Sequence, residues 1–447
     1  MDDMLVGRDT HTKQRAPIHA ALASLVGTVV EWYDFFIYST AAALVFGHLF
    51  FPQASPTAGL MASFATFAVG YLARPLGGVI FGHFGDRVGR KKTLVTTLSM
   101  MGGATFLIGV LPTYNTIGVW APALLVVLRF IQGLGLGGEW GGAVLLAVEH
   151  APPGKRGLNG SFPQVGAPIG LLLATGTYAL LGFLPEDDFT AWGWRLPFLF
   201  SVVLIVVGLL IRARIAETPS FQRVKQEDAV ARMPIMEVLR TQRKEVLQAL
   251  GMRWAENISF YIFATLLISF ATKGVGFSRT TALVAVTIAG AYGIFALPFF
   301  AALSDRIGRR KVYIAGAVGV AVAIFPFFWL VQTGNTSLLF LAAVLMATPW
   351  AAMYGPQAGF FAEMFSARHR YSGMSLGSQL ASTFAGGPTP LIATALMAAA
   401  SGSPWPVCVY VIATAIVTLF AAASTRETYQ DDHEFHGAAS AVLPRNT

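Results

Sequence analysis

The stretch Gly82-His83-Phe84-Gly85-Asp86-Arg87-Val88-Gly89-Arg90-Lys91-Lys92 recurs later as Ala301-Ala302-Leu303-Ser304-Asp305-Arg306-Ile307-Gly308-Arg309-Arg310-Lys311. Each copy of this basic segment lies between long apolar stretches, and the two aspartates are 219 residues apart in a chain of 447. Glu149 and Glu363 repeat at the similar offset of 214. Paired membrane units of this kind are a sequence signature of proteins that build a site between two related halves. The repeat therefore predicts a duplicated membrane protein.

The composition of the chain supports a membrane protein and excludes an ordinary soluble one. Hydrophobic residues make up 55% of the chain and charged residues only 12%, whereas soluble domains carry about 25% charged residues. Twelve apolar stretches are near or above the roughly 20 residues that cross a bilayer. They lie at about 20–46, 58–84, 93–112, 119–147, 158–183, 193–214, 245–272, 282–303, 312–331, 337–362, 371–399 and 404–424. Because lipid satisfies no backbone hydrogen bonds, we predict twelve transmembrane helices in an all-α protein.

The basic residues are distributed unevenly among the connecting segments. They cluster in both termini and at 87–92, 155–156, 212–244, 306–311 and 368–370. The intervening loops near 47–57, 113–118, 184–192, 332–336 and 400–403 contain none. The positive-inside rule then places the basic loops and both termini in the cytoplasm. We interpret the net charge of +8 as a topology signal and a contact for anionic membrane lipids, and not as a nucleic-acid-binding surface.

The long polar stretch near the middle of the chain predicts two pseudo-symmetric six-helix bundles. We assign residues 1–214 to the N-terminal bundle, 215–244 to a cytoplasmic linker, 245–424 to the C-terminal bundle and 425–447 to a cytoplasmic tail. Within the linker, the apolar run 234–239 predicts a short interfacial helix. Cys408 is the single cysteine, which excludes an intramolecular disulfide and argues against a metal cluster. We expect no metal and no cofactor, and we expect a monomer.

Charged side chains inside membrane helices are costly and are therefore candidates for function. They are Glu31, Asp34, Arg74, Arg129, Glu139, Arg253 and Glu256. Placing Trp32 on Trp254 aligns Asp34 with Glu256 at an offset of 222 and replaces Glu31 by Arg253. Arg253 and Glu256 either neutralise each other within one helix or face a central cavity.

Arg129 needs an anionic partner because an arginine does not lose its proton in a protein. We predict that Asp34 is this partner. A substrate anion that binds Arg129 would release Asp34, and desolvation would then favour protonation of the carboxylate. Such a competition would couple the movement of a proton to that of an anion, with Glu31 and Glu256 as assisting carboxylates.

Glu149 and Glu363 each precede an arginine by seven residues at a predicted helix end. We expect the two glutamates to form salt bridges with the loops that carry Asp86 and Asp305, and so to lock the cytoplasmic side. The predicted cytoplasmic gate comprises Asp86, Arg87, Arg90, Glu149, Arg156, Asp305, Arg306, Arg309, Glu363 and Arg370.

Several motifs resemble known transporters over essentially the whole chain. The loop Gly85-Asp86-Arg87-Val88-Gly89-Arg90-Lys91 resembles the loop 2–3 signature of the major facilitator superfamily. The set that resembles its metabolite:proton symporter family is Glu31-Trp32-Tyr33-Asp34-Phe35, Arg74-Pro75-Leu76-Gly77-Gly78, Arg129-Phe130-Ile131-Gln132-Gly133, Gly137-Gly138-Glu139-Trp140-Gly141-Gly142 and Trp192-Gly193-Trp194-Arg195. Arg253 with Glu256, and Glu363 with Arg370, are most similar to the shikimate-transporter branch. The resemblance implies a cavity lined by helices 1, 4, 7 and 10, with Asp34 beside Arg129.

These observations predict a bacterial inner-membrane symporter that imports a small carboxylated metabolite with protons by alternating access. The metabolite would be shikimate-like, a dicarboxylate or a tricarboxylate. The predicted substrate-binding residues are Arg129, Arg253, Tyr33, Gln132, Trp140, Tyr261 and Gln379. A proton-driven exporter of organic acids or drugs, a proline or betaine importer and a non-transporting sensor are the alternatives. An enzyme is not expected, because the sequence contains no nucleophile–base pair and no metal cluster.

Overall fold

A computed structural model describes the backbone of residues 9–88, 90–136, 140–149, 151–152, 154–214, 234–366 and 370–429. Their secondary structure is helical, with no strand in these ranges. In the first half, α1 comprises Asp9–Ala41, a π-helical turn at Ala42–Phe46 and Gly47–Phe50; α2 is Pro56–Val88, α3 Arg90–Val110, α4 Trp120–Leu136 with Trp140–Glu149, α5 Arg156–Leu181 and α6 Leu196–Arg214. In the second half, α7 comprises Arg243–Tyr261, Ile262–Leu266, Leu267–Ser269 and Phe270–Val275; α8 is Arg279–Ile307, α9 Arg309–Gln332, α10 Thr336–Met364, α11 Arg370–Ala381 with Ser382–Gly386 and Thr389–Ala399, and α12 Trp405–Ala423.

The lengths and apolar surfaces of these helices confirm the all-α membrane fold. Within the described ranges, nine helical segments are long and apolar enough to cross a bilayer, and Val95–Val110 and Trp120–Leu136 are shorter apolar helices. Large apolar side chains such as Phe295 and Trp329 are 77% and 69% exposed on the outside of the bundle. Such residues suit contact with lipid tails, because exposing an apolar side chain to apolar lipid costs no free energy.

Helix pairing repeats between the two halves of the chain. In the first half α1 packs on α5, α2 on α4 and α3 on α6, and in the second half α7 packs on α11, α8 on α10 and α9 on α12. Between the halves, α5 packs against α8 and α2 against α11. Each of these contacts maps onto an equivalent one when six is added to the helix number, which is the pattern of a pseudo-twofold repeat. The division at residues 215–244 and the cytoplasmic location of the termini stay predictions.

The short helix predicted in the linker is present as Pro234–Thr241. Other expectations differ in detail from the structure. The segment 371–399 is not one continuous α-helix, because a π-helical turn at Ser382–Gly386 interrupts it. A similar π-helical turn, Ile262–Leu266, interrupts α7. Such turns frequently occur at functional sites, and both of these lie on helices that face the interface between the halves.

Candidate functional site

Close packing of α2 on α4 places Arg129 in the centre of the first half. Glycines meet at this contact, and a Cβ atom on Gly133 would collide with the backbone oxygen of Gly70. A Cβ atom on Gly70 would lie 2.6 Å from Nε of Arg129. Small residues let membrane helices approach closely, so the glycines seen in the sequence create the space that the arginine side chain occupies.

Asp34 and Arg129 are connected through two neutral side chains and not by a direct ion pair. Thr105 donates a hydrogen bond to Oδ2 of Asp34 over 3.0 Å, and Gln132 Nε2 donates to the Thr105 hydroxyl over 2.7 Å. Arg129 Nη1 in turn donates to Oε1 of Gln132 over 3.0 Å. Within the described chain, this polar relay of Asp34, Thr105, Gln132 and Arg129 replaces the direct pair that the sequence predicted. The reason is that Gln132, one helical turn after Arg129, offers the guanidinium a nearer acceptor.

The guanidinium of Arg129 is enclosed by aromatic rings. Its Cζ atom lies 4.6 Å from the ring centroid of Phe35, 4.2 Å from that of Tyr38 and 5.0 Å from that of Phe67. The side chain is 1% exposed, and its Nε and Nη2 atoms have no hydrogen-bond partner among the described residues. Cation–π contacts partly compensate a buried charge. The two nitrogens without acceptors leave Arg129 able to donate to an anion.

The second half contains a separate charged cluster around Glu256. Arg253 Nε lies 3.5 Å from Oε2 of Glu256, and Trp350 Nε1 donates to Oε1 of Glu256 over 3.1 Å. Arg253 also donates to the hydroxyl of Ser378 on α11. Both charged side chains are buried, with exposures of 5% and 3%. Arg253 and Glu256 therefore contact each other, as the first alternative predicts, and they also bond side chains of α10 and α11; that they face a central cavity stays a prediction.

A tyrosine pair joins the halves between the two charged clusters. The hydroxyl groups of Tyr71 on α2 and Tyr261 on α7 are hydrogen-bonded to each other. Thr383, in the π-helical turn of α11, donates to the backbone oxygen of Tyr71 over 3.1 Å. Phe35 and Phe67 pack edge-on against Tyr71 at centroid distances of 5.1 and 5.5 Å. The centre of the molecule is thus an aromatic layer flanked by buried arginines, which suits a small anion with an apolar or cyclic body.

Other predicted binding residues lie away from this centre or outside the described side chains. Tyr33 points at α6, where its hydroxyl donates to the backbone oxygen of Pro197 over 3.1 Å. Glu31 and Gln379 are half-buried and take part in further interactions. The side chain of Trp140 lies outside the described residues. The structure thus brings Gln132 and Tyr261 to the centre and places Tyr33 against a neighbouring helix.

Three of the predicted gate residues of the second half, Asp305, Arg309 and Glu363, form one buried network at the end of the bundle that carries the basic loops. Arg309 Nη1 lies 2.6 Å from Oδ1 of Asp305, and its Nη2 lies 3.2 Å from Oε1 of Glu363. Asp305 also accepts hydrogen bonds of 2.9 Å from the backbone N–H groups of Gly157 and Leu158. A carboxylate at a helix N-terminus is stabilised by the free N–H groups and the helix dipole. Asp305 therefore caps α5 of the opposite half.

The gate residues of the first half are only partly described. The side chains of Asp86, Arg87 and Arg90 lie outside the described residues. Glu149 is paired with Arg370 across the interface, with 3.7 Å between Oε1 and Nη1. In the second half, the predicted gate residue Arg306 is exposed to solvent in the last turn of α8.

The residues at the centre that sequence reasoning missed are neutral or aromatic. Thr105, Tyr71, Trp350 and Ser378 carry no formal charge, and membrane helices contain many such residues that only bond their own backbone. At the gate, Thr428 donates to Oε2 of Glu363 over 2.6 Å, and Glu427 accepts from the backbone N–H of Arg309 over 2.8 Å. The repeat of a Glu-Thr pair at 217–218 and 427–428 was a signal that could have identified the last two.

Comparisons with known proteins agree with this architecture. A family model described as "Sugar (and other) transporter" matches residues 19–245, and one described as "Major Facilitator Superfamily" matches residues 249–445. The chain is 44% identical to the "Shikimate transporter" of Escherichia coli (strain K12), with 90% of this chain and 93% of the relative covered. It is 42% identical to the "Inner membrane metabolite transport protein YhjE" of the same organism, with 94% and 97% covered. The "Proline/betaine transporter" of that organism is 32% identical, with 92% of this chain and 83% of the relative covered.

Solved structures resemble the fold at low sequence identity. The xylose transporter XylE from E. coli, in a partially occluded inward open conformation, matches with a TM-score of 0.72 at 18% identity. That comparison covers 92% of this chain and 98% of the solved one. A crystal structure described as "D-xylose-proton symporter" matches with a TM-score of 0.69, also at 18% identity, over 91% and 96% of the two chains. At this identity the likeness shows the shared fold.

Proposed function

The chain belongs to the major facilitator superfamily, in its shikimate-like metabolite transporter branch, and we propose that it imports a small carboxylated metabolite together with protons. It is a multi-pass inner-membrane transporter and not an enzyme. The observation that carries the proposal is the polar relay that links the buried carboxylate of Asp34 to the permanent cation of Arg129.

The relay offers a route by which substrate binding reaches Asp34. Oδ1 of Asp34 and two nitrogens of Arg129 lack hydrogen-bond partners in the described chain. A substrate carboxylate that binds these nitrogens would draw the guanidinium towards itself and away from Gln132, which accepts from Nη1, because a charged acceptor attracts the cation more strongly than a neutral amide oxygen does. Release of Gln132 removes a donor from the Thr105 hydroxyl and weakens the relay. A proton that binds Asp34 then enters with the anion.

Alternating access requires that the contacts between the halves break at one end at a time. At the basic end, Asp305 and Glu363 reach α5 of the first half. At the opposite end, Arg279 of α8 lies 2.7 Å from Glu186, the first residue of the short helix Glu186–Ala191 that precedes α6. Contacts at both ends support a mechanism in which the halves rock about the central tyrosine pair.

Chemistry and similarity both support an organic acid as the substrate. Two buried arginines in separate clusters, Arg129 and Arg253, favour an organic acid, since guanidinium groups bind carboxylates bidentately. The 44% identity to a shikimate transporter supports a cyclic monocarboxylate such as shikimate over proline or betaine, whose transporter is 32% identical. We propose that the protein acts as a monomer, with the site enclosed by one chain.

Proteoliposomes containing the purified full-length protein test the proposal. An inward proton gradient should drive accumulation of labelled shikimate in the wild type. Asp34→Asn should abolish accumulation and retain exchange of internal for external substrate. If Asp34→Asn concentrates substrate as well as the wild type, proton coupling through Asp34 is wrong. Net efflux driven by the same gradient would instead indicate an exporter.

A further inference from the structure

Arg74 on α2 is a buried cation for which the mechanism above has no use. Its side chain is 8% exposed, and Nε is buried without a hydrogen-bond partner. Arg74 forms no hydrogen bond and no ion pair with any residue that the structure describes; its contacts are with aromatic rings. An arginine keeps its proton, and a charge in the membrane interior without a counter-ion is strongly unfavourable. A bound anion would supply the counter-ion that the described residues do not provide.

Arg74 and Arg129 share one aromatic ring. The Cζ atom of Arg74 lies 4.9 Å from the centroid of Phe35, and that of Arg129 lies 4.6 Å from the same centroid. The Cζ atom of Arg74 also lies 4.2 Å from the ring centroid of Tyr71, which forms the tyrosine pair with Tyr261 of the other half. Two like charges beside one ring repel each other, and a bound anion removes this repulsion. Both guanidinium groups have N–H groups without acceptors.

The carboxylates of the centre are already engaged by other groups. Asp34 accepts from Thr105, and Glu256 accepts from Trp350 and lies beside Arg253. The repeat also indicates that the fold itself does not need this charge. At the offset of 219 between the two loop signatures, the position equivalent to Arg74 is Gly293.

We propose that Arg74 binds the substrate carboxylate together with Arg129, with the anion held beside Phe35 and Tyr71. This inference rests on the proposed function and names the group that would select the acid over a neutral analogue. The two guanidinium forks present several N–H groups to the carboxylate oxygens. The bound anion would lie against Tyr71 of the tyrosine pair, so that the substrate would bind where the two halves contact each other.

The test compares binding of shikimate with binding of its uncharged methyl ester to the purified full-length protein. Wild type should prefer the acid. Arg74→Gln should weaken binding of the acid about tenfold or more, because a hydrogen bond to a charged group is lost, and should leave binding of the ester unchanged. Arg74→Lys should bind the acid more tightly than Arg74→Gln and less tightly than the wild type, because lysine retains the charge but loses the planar guanidinium that binds a carboxylate bidentately. Acid binding by Arg74→Gln with wild-type affinity would overturn the proposal.

Arg195 provides a matched control, because it too lies against an aromatic ring but has acceptors. Its Nη1 atom donates to the backbone oxygens of Gly109 and Leu111 over 2.9 and 2.7 Å, and its Cζ lies 4.5 Å from the ring of Trp194. Arg195→Gln should keep the preference for the acid. Loss of that preference in Arg195→Gln to the same extent as in Arg74→Gln would count against a specific role of Arg74.

A second measurement needs no ligand. Removal of a buried cation without a counter-ion should stabilise the empty protein, so Arg74→Met should raise the melting temperature. Arg195→Met should lower it, since two buried backbone oxygens lose their donor. A lower melting temperature for Arg74→Met would show a structural cation and overturn the proposal. Failure of the proposed function is separate, because it would appear as absence of proton-driven uptake in the wild type.

Discussion

Arg156, at the start of α5, lies 3.8 Å from Glu363 at the end of α10, in the opposite half of the chain. In the equivalent pair the arginine comes from the second half and the glutamate from the first: Arg370 of α11 lies 3.7 Å from Glu149 of α4. Each half thus gives an arginine to a glutamate of the other half. Separation of the halves at this end must break both contacts, so the two pairs act as one latch.

The two glutamates of the latch should differ greatly in their contribution to stability. The side chain of Glu363 is 2% exposed and that of Glu149 is 46% exposed. Glu363→Gln removes one buried carboxylate from both Arg156 and Arg309, of which Arg309 keeps Asp305, and we expect a loss of about 3–5 kcal/mol in the free energy of unfolding. Glu149→Gln removes the partly exposed carboxylate of a pair whose atoms are 3.7 Å apart, and we expect a loss of less than about 1 kcal/mol. Denaturant titration of both variants in detergent micelles measures the difference. Equal losses would contradict the buried network.

Removal of the Thr105 hydroxyl should impair proton coupling more than substrate exchange. Thr105→Val leaves the ionised form of Asp34 without its donor, a loss of about 1.5–3 kcal/mol for that form. We expect net uptake driven by a proton gradient to fall about tenfold, with exchange at equal pH within about twofold of the wild type. Thr105→Ser should restore uptake, because it restores the hydroxyl.

Thr394 supplies the control for the Thr105 experiment. It is buried in α11, and among the described residues its hydroxyl bonds the backbone oxygen of Pro390 alone, over 2.7 Å. Thr394→Val should therefore leave the ratio of net uptake to exchange unchanged. Unimpaired net uptake by Thr105→Val in the same vesicles would remove Thr105 from the coupling mechanism.

Arg253 and Glu256 should show strong energetic coupling in a double-mutant cycle. Arg253→Met leaves Glu256 buried without its cation, and Glu256→Met leaves Arg253 without its anion, so each single change should cost about 3–5 kcal/mol. The double variant should cost less than the sum of the two, with a coupling energy of about 1–3 kcal/mol. The free energies of unfolding of all four proteins give this value. Additive losses would show that the 3.5 Å contact between Arg253 and Glu256 does not contribute to the free energy of unfolding.

The sequence predicted which charges are buried and offered the pairing of Arg253 with Glu256 as one alternative. Asp34, Arg129, Arg253 and Glu256 are recognisable as buried charges because each interrupts an apolar helix. The neutral side chains that connect Asp34 with Arg129 are not recognisable in this way. Thr105 can bond Oδ2 of Asp34, and it also lies 2.9 Å from the backbone oxygen of Met101 in its own helix. A threonine in a helix can bond the backbone oxygen one turn earlier, so its presence does not predict a partner in another helix.

The number of apolar segments, the repeat of the basic loops and the family motifs were determined by the sequence alone, because hydrophobic length and the spacing of charges are local properties of the chain. Only the tertiary structure decided that Gln132 and Thr105 lie between Arg129 and Asp34. It also decided that an arginine of each half pairs with a glutamate of the other. Finally, it decided that Arg74 and Arg129 contact the same ring, that of Phe35. These contacts join helices far apart in sequence, and their geometry depends on how closely glycines let the helices approach.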